Sequence, residues 1–153
     1  MNGLDRVRPH VIGEGWRGGL FLLAVIALSL LFSGGFVLEI LDVGFSLSWV
    51  VVAFGIAIVA GGVRAGLLPA IGSLWFFAFW WYTFPPLVGY LTGDWEAASR
   101  YTYPRTLGYG YDSAYHELMG GINRGVRSGL SFALFVGTIG YSIGTAVAWF
   151  QHD

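Results

Sequence analysis

Four long apolar runs occupy most of this chain, and no charged residue lies in the middle of any of them. The runs cover about residues 18–40, 47–63, 67–90 and 129–150. A run of about 18 or more apolar residues predicts a membrane-spanning helix, because in lipid only a helix satisfies every backbone group within its own segment. The pattern therefore predicts an all-α membrane protein with four transmembrane helices.

The composition supports one compact membrane domain. Of the 153 residues, 56% are hydrophobic and 11% are charged, whereas soluble domains carry about 25% charged residues. We assign residues 1–17 to a polar N-terminal segment and residues 18–153 to the transmembrane domain. The formal charge of −1 argues against a nucleic-acid partner. The absence of cysteine excludes disulfides, thiolate catalysis and metal sites built on cysteine.

The first run has one alternative interpretation, a cleaved signal peptide. Basic residues precede it, and the small residues Ser33, Gly34 and Gly35 follow a short apolar core. Hydrophobicity then resumes at Phe36 and continues to Ile40. This continuation favours a full membrane span.

Short connections separate the first three runs. Asp42 and Gly44 in the first connection, and a group of glycines in the second, predict two tight antiparallel turns. Pro69 is expected in the first turn of the third helix, where its missing N–H costs nothing. Pro85 and Pro86 are expected to kink or end that helix.

Residues 92–128 form the one long segment outside the runs. Its first part, residues 101–111, is rich in Tyr, Gly and Pro and predicts an ordered or semi-ordered loop. Its second part has apolar residues at helical spacing, with charged residues away from that stripe, and Asp112 or Ser113 as the N-cap. This pattern predicts an amphipathic helix on the membrane surface before the last span. The stripe consists of Tyr115, Leu118, Met119, Ile122 and Val126, and the residues outside it are Glu117, Arg124 and Arg127.

Tryptophan positions favour an even number of spans. Trp16 and Trp149 lie at the outer ends of the first and last runs. Trp49, Trp80 and Trp81 lie at the end of the predicted bundle that holds the connection between the first two runs. Four spans place these two groups in two interfacial belts. The arginines divide four and four between the two sides. The three that precede the first run favour cytoplasmic termini in the plasma membrane.

Small residues recur at four-residue spacing in the second and fourth runs. Such stripes allow helix backbones to approach closely in lipid. We expect them to pack within the four-helix bundle, and the alternative is a homo-oligomer or docking face on the fourth helix. The residues of that candidate face are Gly137, Gly140, Gly144 and Ala148.

The third run contains eight aromatic residues among positions 75–84. One interpretation is a wall for a flat hydrophobic ligand, such as a quinone, an isoprenoid or a pigment. The other is an interfacial aromatic girdle combined with bundle packing. The candidate wall residues are Trp75, Phe79, Trp80 and Tyr82.

The acidic and basic residues lie at the ends of the runs or outside them. Glu39 and Asp42 lie at the end of the first run and are candidate carboxylates at the mouth of the bundle, where they would attract cations; the alternative is that they are solvated loop charges. In the long loop, His116 could act as a base with Glu117, Asp112 or Asp94, but neighbouring helical residues face different sides. We assign no catalytic residue, no cofactor and no metal site.

These patterns favour one functional class. We expect a small structural or accessory subunit that acts through helix and loop contacts, either with copies of itself or within a larger membrane complex in the lipid bilayer. The alternative is an oligomeric carrier, channel or lipid- or quinone-binding protein. An enzyme acting through the loop is the third and least supported class, because no ionisable group lies at bilayer depth.

Overall fold

The computed structural model describes residues 10–97, 99–105 and 110–151, and within them it contains four long α-helices and no β-strand. We label the helices α1 (Arg17–Val37), α2 (Leu47–Gly62), α3 (Leu67–Thr92) and α4 (Ala114–Phe150). Residues 10–12 are also helical. The all-helical prediction is confirmed. Three of the helices, α1, α3 and α4, are long and apolar enough to cross a membrane, while α2 is apolar but has only 16 residues.

The predicted boundary between a surface helix and the last span was wrong. Residues 114–150 form one uninterrupted helix of 37 residues, and Ser113 caps it by accepting a hydrogen bond from the His116 N–H at 3.2 Å. Within this helix, Gly121 and Gly125 lie against α3, and a side chain at these positions would collide with Tyr82 and Phe79, respectively. Close packing there offsets the low helix propensity of glycine.

Pro85 and Pro86 do not end α3, which continues to Thr92 and stops at Gly93 in the left-handed conformation. Both proline rings are buried. Proline at position 86 cannot donate a hydrogen bond to the carbonyl of Tyr82, four residues earlier. That carbonyl faces Gly121 of α4. The neighbouring helix thus packs over the site where the helical hydrogen bonding is interrupted.

The helices alternate in direction. Gly18 lies against Pro69 and Phe36 lies against Phe84, so α1 and α3 run parallel and α2 returns between them. Glu14, Arg64 and Trp149 line one groove, which places the start of α1, the α2–α3 turn and the end of α4 together. We call this the terminal end, and the opposite end, with the α1–α2 connection and residues 93–113, the loop end.

Aromatic packing joins α1, α2 and α3 near the loop end. The rings of Trp49 and Trp80 lie 5.9 Å apart, and Phe32 packs against both. Trp80 donates a hydrogen bond from Nε1 to the Ser33 hydroxyl at 2.8 Å. This bond satisfies the polar atom of a buried indole and fixes α1 against α3.

Candidate functional site

Arg100 ties the 93–113 connection to the end of α1. It donates hydrogen bonds to the carbonyl oxygens of Phe36 at 2.6 Å and Leu41 at 3.3 Å. The same guanidinium lies 3.3 Å from the Glu39 carboxylate and 3.2 Å from that of Asp42. The structure therefore brings the two predicted bundle-mouth carboxylates together, but it provides Arg100 as their counter-ion.

Glu117 is the anchor of the loop end and is fully buried, with 0% exposure. Its carboxylate accepts hydrogen bonds from the backbone N–H of Tyr103 at 2.9 Å and of Tyr111 at 3.3 Å. It also forms an ion pair with Arg105. A buried charge is tolerated only with such partners. The sequence places Glu117 outside the apolar stripe, and the structure shows that it is buried there because Tyr103, Arg105 and Tyr111 close over it.

The residues bonded to Glu117 also stack on one another. The Arg105 guanidinium lies 4.2 Å from the centre of the Tyr103 ring, and the rings of Tyr103 and Tyr111 are 6.2 Å apart. Tyr103 is buried. The expected ordered loop of residues 101–111 is therefore present in residues 101–105 and 110–111, and residues 106–109 lie outside the described part of the chain.

His116 does not combine with Glu117 into a catalytic pair. Its Nδ1 lies 2.7 Å from the Asp112 carboxylate on the exposed side of the helix, while Glu117 points into the protein. The hydrogen bond with His116 lowers the pKa of the Asp112 carboxyl below its usual value. Asp94 is exposed at the end of α3. Among the residues the structure describes, no group of three His, Asp or Glu residues could hold a metal ion.

An exposed apolar surface covers one side of the loop end. Tyr90 on α3 and Tyr115 on α4 are 48% and 53% exposed, and their rings are 6.4 Å apart. Leu91 follows Tyr90, and Met119 lies one turn from Tyr115; both are exposed. We call these four residues the tyrosine patch. Three residues of the predicted amphipathic stripe, Tyr115, Met119 and Val126, are thus solvent- or lipid-facing.

The predicted aromatic wall is divided among several neighbours. Trp75 donates a hydrogen bond to the Val126 carbonyl of α4 at 3.3 Å, and Phe79 packs beside Gly125. Trp80 is buried in the core. Tyr82 lines an apolar cavity. The four side chains do not share one face of α3.

That cavity is an apolar opening between α2 and α4, floored by α3. At the terminal end, α2 and α4 touch through Gly61, Gly140 and Gly144. Toward the loop end they separate and leave about 90 Å³ of free space. We call this the α2–α4 cleft. It is lined by Phe45, Trp49, Val50, Ala53, Phe77, Ala78, Trp81, Tyr82 and Phe132.

The candidate packing face of α4 is turned mainly into the bundle. Gly137 lies against Ile71 and Leu74 of α3, and Gly140 and Gly144 lie against Ala57 and Ile58 of α2. Ala148 borders the groove at the terminal end. Contact within the chain therefore occupies three of the four residues.

Six arginines lie in the described residues, and four of them pair with a carboxylate. Arg17 and Arg64 approach Glu14, Arg100 approaches Glu39 and Asp42, and Arg105 pairs with Glu117. Arg124 and Arg127, exposed on α4, have no carboxylate partner within the described ranges. Only the partner of Arg17, three residues earlier in the chain, is close enough to be recognised from the sequence; the carboxylates that pair with Arg64, Arg100 and Arg105 come from more distant positions.

Comparison with known proteins gives no match: no family model, no curated protein and no solved structure is significantly similar to this chain.

Proposed function

We propose that this chain is a multi-pass membrane protein with four spans that acts as an accessory subunit of a larger membrane complex. The tyrosine patch supports the accessory-subunit role, as the surface to which the partner binds. The direction of the helices supports the four spans, and these two parts of the proposal rest on separate observations.

The fourth crossing is α2. The parallel direction of α1 and α3, each long enough to span, supports a return across the bilayer between them. The 16 residues of α2 rise roughly 24 Å, somewhat less than the hydrocarbon thickness of about 30 Å. Local thinning of the bilayer accommodates such a mismatch at modest cost.

The orientation extends the same proposal. Both described chain ends lie at the terminal end. Arg6, Arg8 and Arg17 precede or begin α1, and basic residues flanking the first span favour the cytoplasmic side. We therefore place the terminal end in the cytoplasm and the loop end outside, in the plasma membrane.

The tyrosine patch has the composition of a protein interface. Tyrosine and methionine are enriched at such surfaces, since their side chains give a large contact area. The buried Glu117 holds the adjoining loop against α4. A surface that is already ordered loses little conformational entropy on binding. These features favour recognition of a partner by the loop end.

A crosslinking experiment in native membranes tests the partner. A photoreactive phenylalanine analogue is incorporated at Tyr115, and a matched control is incorporated at Leu31, which is 70% exposed on α1. We expect a discrete protein adduct from position 115 and none from position 31. The Tyr115→Asp variant should release the same protein during purification in mild detergent. Lipid adducts alone at position 115 would contradict the subunit proposal.

The lipid-binding alternative has support from a different region, the α2–α4 cleft and the arginines beside it.

A further inference from the structure

We propose that the α2–α4 cleft and the adjacent arginines bind an anionic phospholipid, with one acyl chain in the cleft and the phosphate on Arg124 and Arg127. This site rests on the membrane-spanning part of the proposed function and is independent of the partner at the tyrosine patch. Charge, depth, register and cleft size each support it.

The first observation is charge. Arg124 and Arg127 lie three residues apart on α4, so their side chains share one side of the helix. Neither has a carboxylate partner in the part of the chain that the structure describes, although each of the other four described arginines has one. Guanidinium groups bind phosphate oxygens through paired hydrogen bonds. The two arginines are therefore available for an external anion.

The second observation is depth. Arg127 precedes Trp149 by 22 residues in one continuous helix, which corresponds to a rise of roughly 33 Å. Tryptophan prefers the membrane interface, and the hydrocarbon core is about 30 Å thick. If Trp149 lies at one interface, Arg124 and Arg127 lie at the level of the phosphates of the other. Free phosphate in solution would not use the cleft beneath them.

The third observation is register. Side chains at four-residue intervals form one ridge along a helix. Arg124 lies on the same ridge as Phe132, which lines the cleft, two four-residue steps earlier. The ridge turns by about 40° at each step, so the two side chains are about 12 Å apart along α4 and about 80° apart around it. Tyr82 of α3 also lines the cleft. Arg124 and Arg127 line one groove on the loop-end side of α4, and an acyl chain that extends from a phosphate in this groove reaches the cleft past Phe132.

The fourth observation is the size of the cleft. The volume of the cleft is about 90 Å³. Pockets that enclose small molecules have volumes of roughly 300–1,000 Å³. A ring system such as a quinone would not fit, but a few methylene groups of a flexible chain would. The lining is apolar, and Phe45 at its edge is 58% exposed. A chain can therefore enter from the surrounding lipid.

Native mass spectrometry of the full chain in mild detergent tests the site. The probes are phosphatidylglycerol and phosphatidylcholine with identical acyl chains, added in competition. We expect one tightly held lipid, with phosphatidylglycerol preferred. The double variant Arg124→Gln/Arg127→Gln should reduce that preference roughly tenfold or more, since each surface arginine contributes attraction to anionic lipid. The matched control Arg64→Gln, at the other end of the bundle, should retain it.

A second variant tests the cleft separately. Val50→Phe fills part of it and should weaken binding of both lipids while leaving the headgroup preference unchanged. Single variants of Arg124 and Arg127 replace the double variant if its melting temperature falls. The proposal is overturned if the headgroup preference survives loss of both arginines, if Val50→Phe has no effect, or if inorganic phosphate displaces the lipid. If the lipid site fails these tests while the four crossings and the protein adduct at Tyr115 are observed, the subunit proposal remains supported.

Discussion

The loop end is held by single residues whose charges are buried, and Glu117 is the most sensitive of these. Its carboxylate is the common acceptor for Tyr103, Arg105 and Tyr111. Removing its charge removes the carboxylate that pairs with the partly buried Arg105. Because Arg105 retains 17% exposure, the cost is below the range of about 3–5 kcal/mol for a fully buried pair.

We expect Glu117→Gln to lower the free energy of unfolding by about 2 kcal/mol. Thermal unfolding in mild detergent measures this change. Asp112→Asn is the control, since Asp112 lies on the adjoining turn but is exposed, and it should change the stability by less than about 0.5 kcal/mol. Equal effects of the two variants would show that the carboxylate of Glu117 does not anchor the loop.

The sequence could not predict this role. Within α4, the position of Glu117 indicates only a charged residue outside the apolar stripe. The groups that bind it come from residues 103–111, which lack periodicity. Glu39 and Asp42 were found as a pair from their position, but Arg100 was not, because it follows them by about 60 residues.

At the scale of helices, glycines determine how closely α4 approaches its neighbours. A side chain at Gly144 would collide with the carbonyl group of Ile58 in α2. Gly55, within α2, has no atom near the position of a Cβ. Substituting each glycine by alanine therefore distinguishes the effect of helix packing from the effect of helix propensity.

We expect Gly144→Ala to destabilise the protein by about 1–3 kcal/mol, because backbone atoms must move apart. Gly55→Ala should be neutral or should stabilise by up to about 1 kcal/mol, since alanine favours the helix. Melting temperatures of the two variants in the same detergent measure the difference. A stable Gly144→Ala protein would mean that α2 and α4 do not pack in this way.

Helix bounds were predictable where hydrophobicity alone defined them. The starts of α1, α2 and α3 agree with the apolar runs to within one residue. The continuity of α4 and the passage of α3 through Pro85 and Pro86 were not predicted, because each depends on the other helix. Gly121 and Pro86 form the contact that allows both. Local sequence rules therefore failed at the point where two helices pack on each other.

For the whole molecule, the two proposed surfaces adjoin each other on α4. The tyrosine patch is formed by α3 and α4, and its Met119 also lines the groove that contains Arg124 and Arg127. The apolar runs predicted four helices, but the sequence could not predict which of their surfaces remain open.

The number of crossings is the property on which both proposals depend, and cysteine labelling measures it directly. The chain has no cysteine, so single cysteines can be introduced at Ser46, Arg64 and Gln151 in an unmodified background. A membrane-impermeant maleimide applied to intact cells should label Ser46→Cys, while Arg64→Cys and Gln151→Cys should react only after the membrane is opened. Labelling of Ser46→Cys and Arg64→Cys from the same side would show that α2 does not cross, and would contradict the four-span architecture.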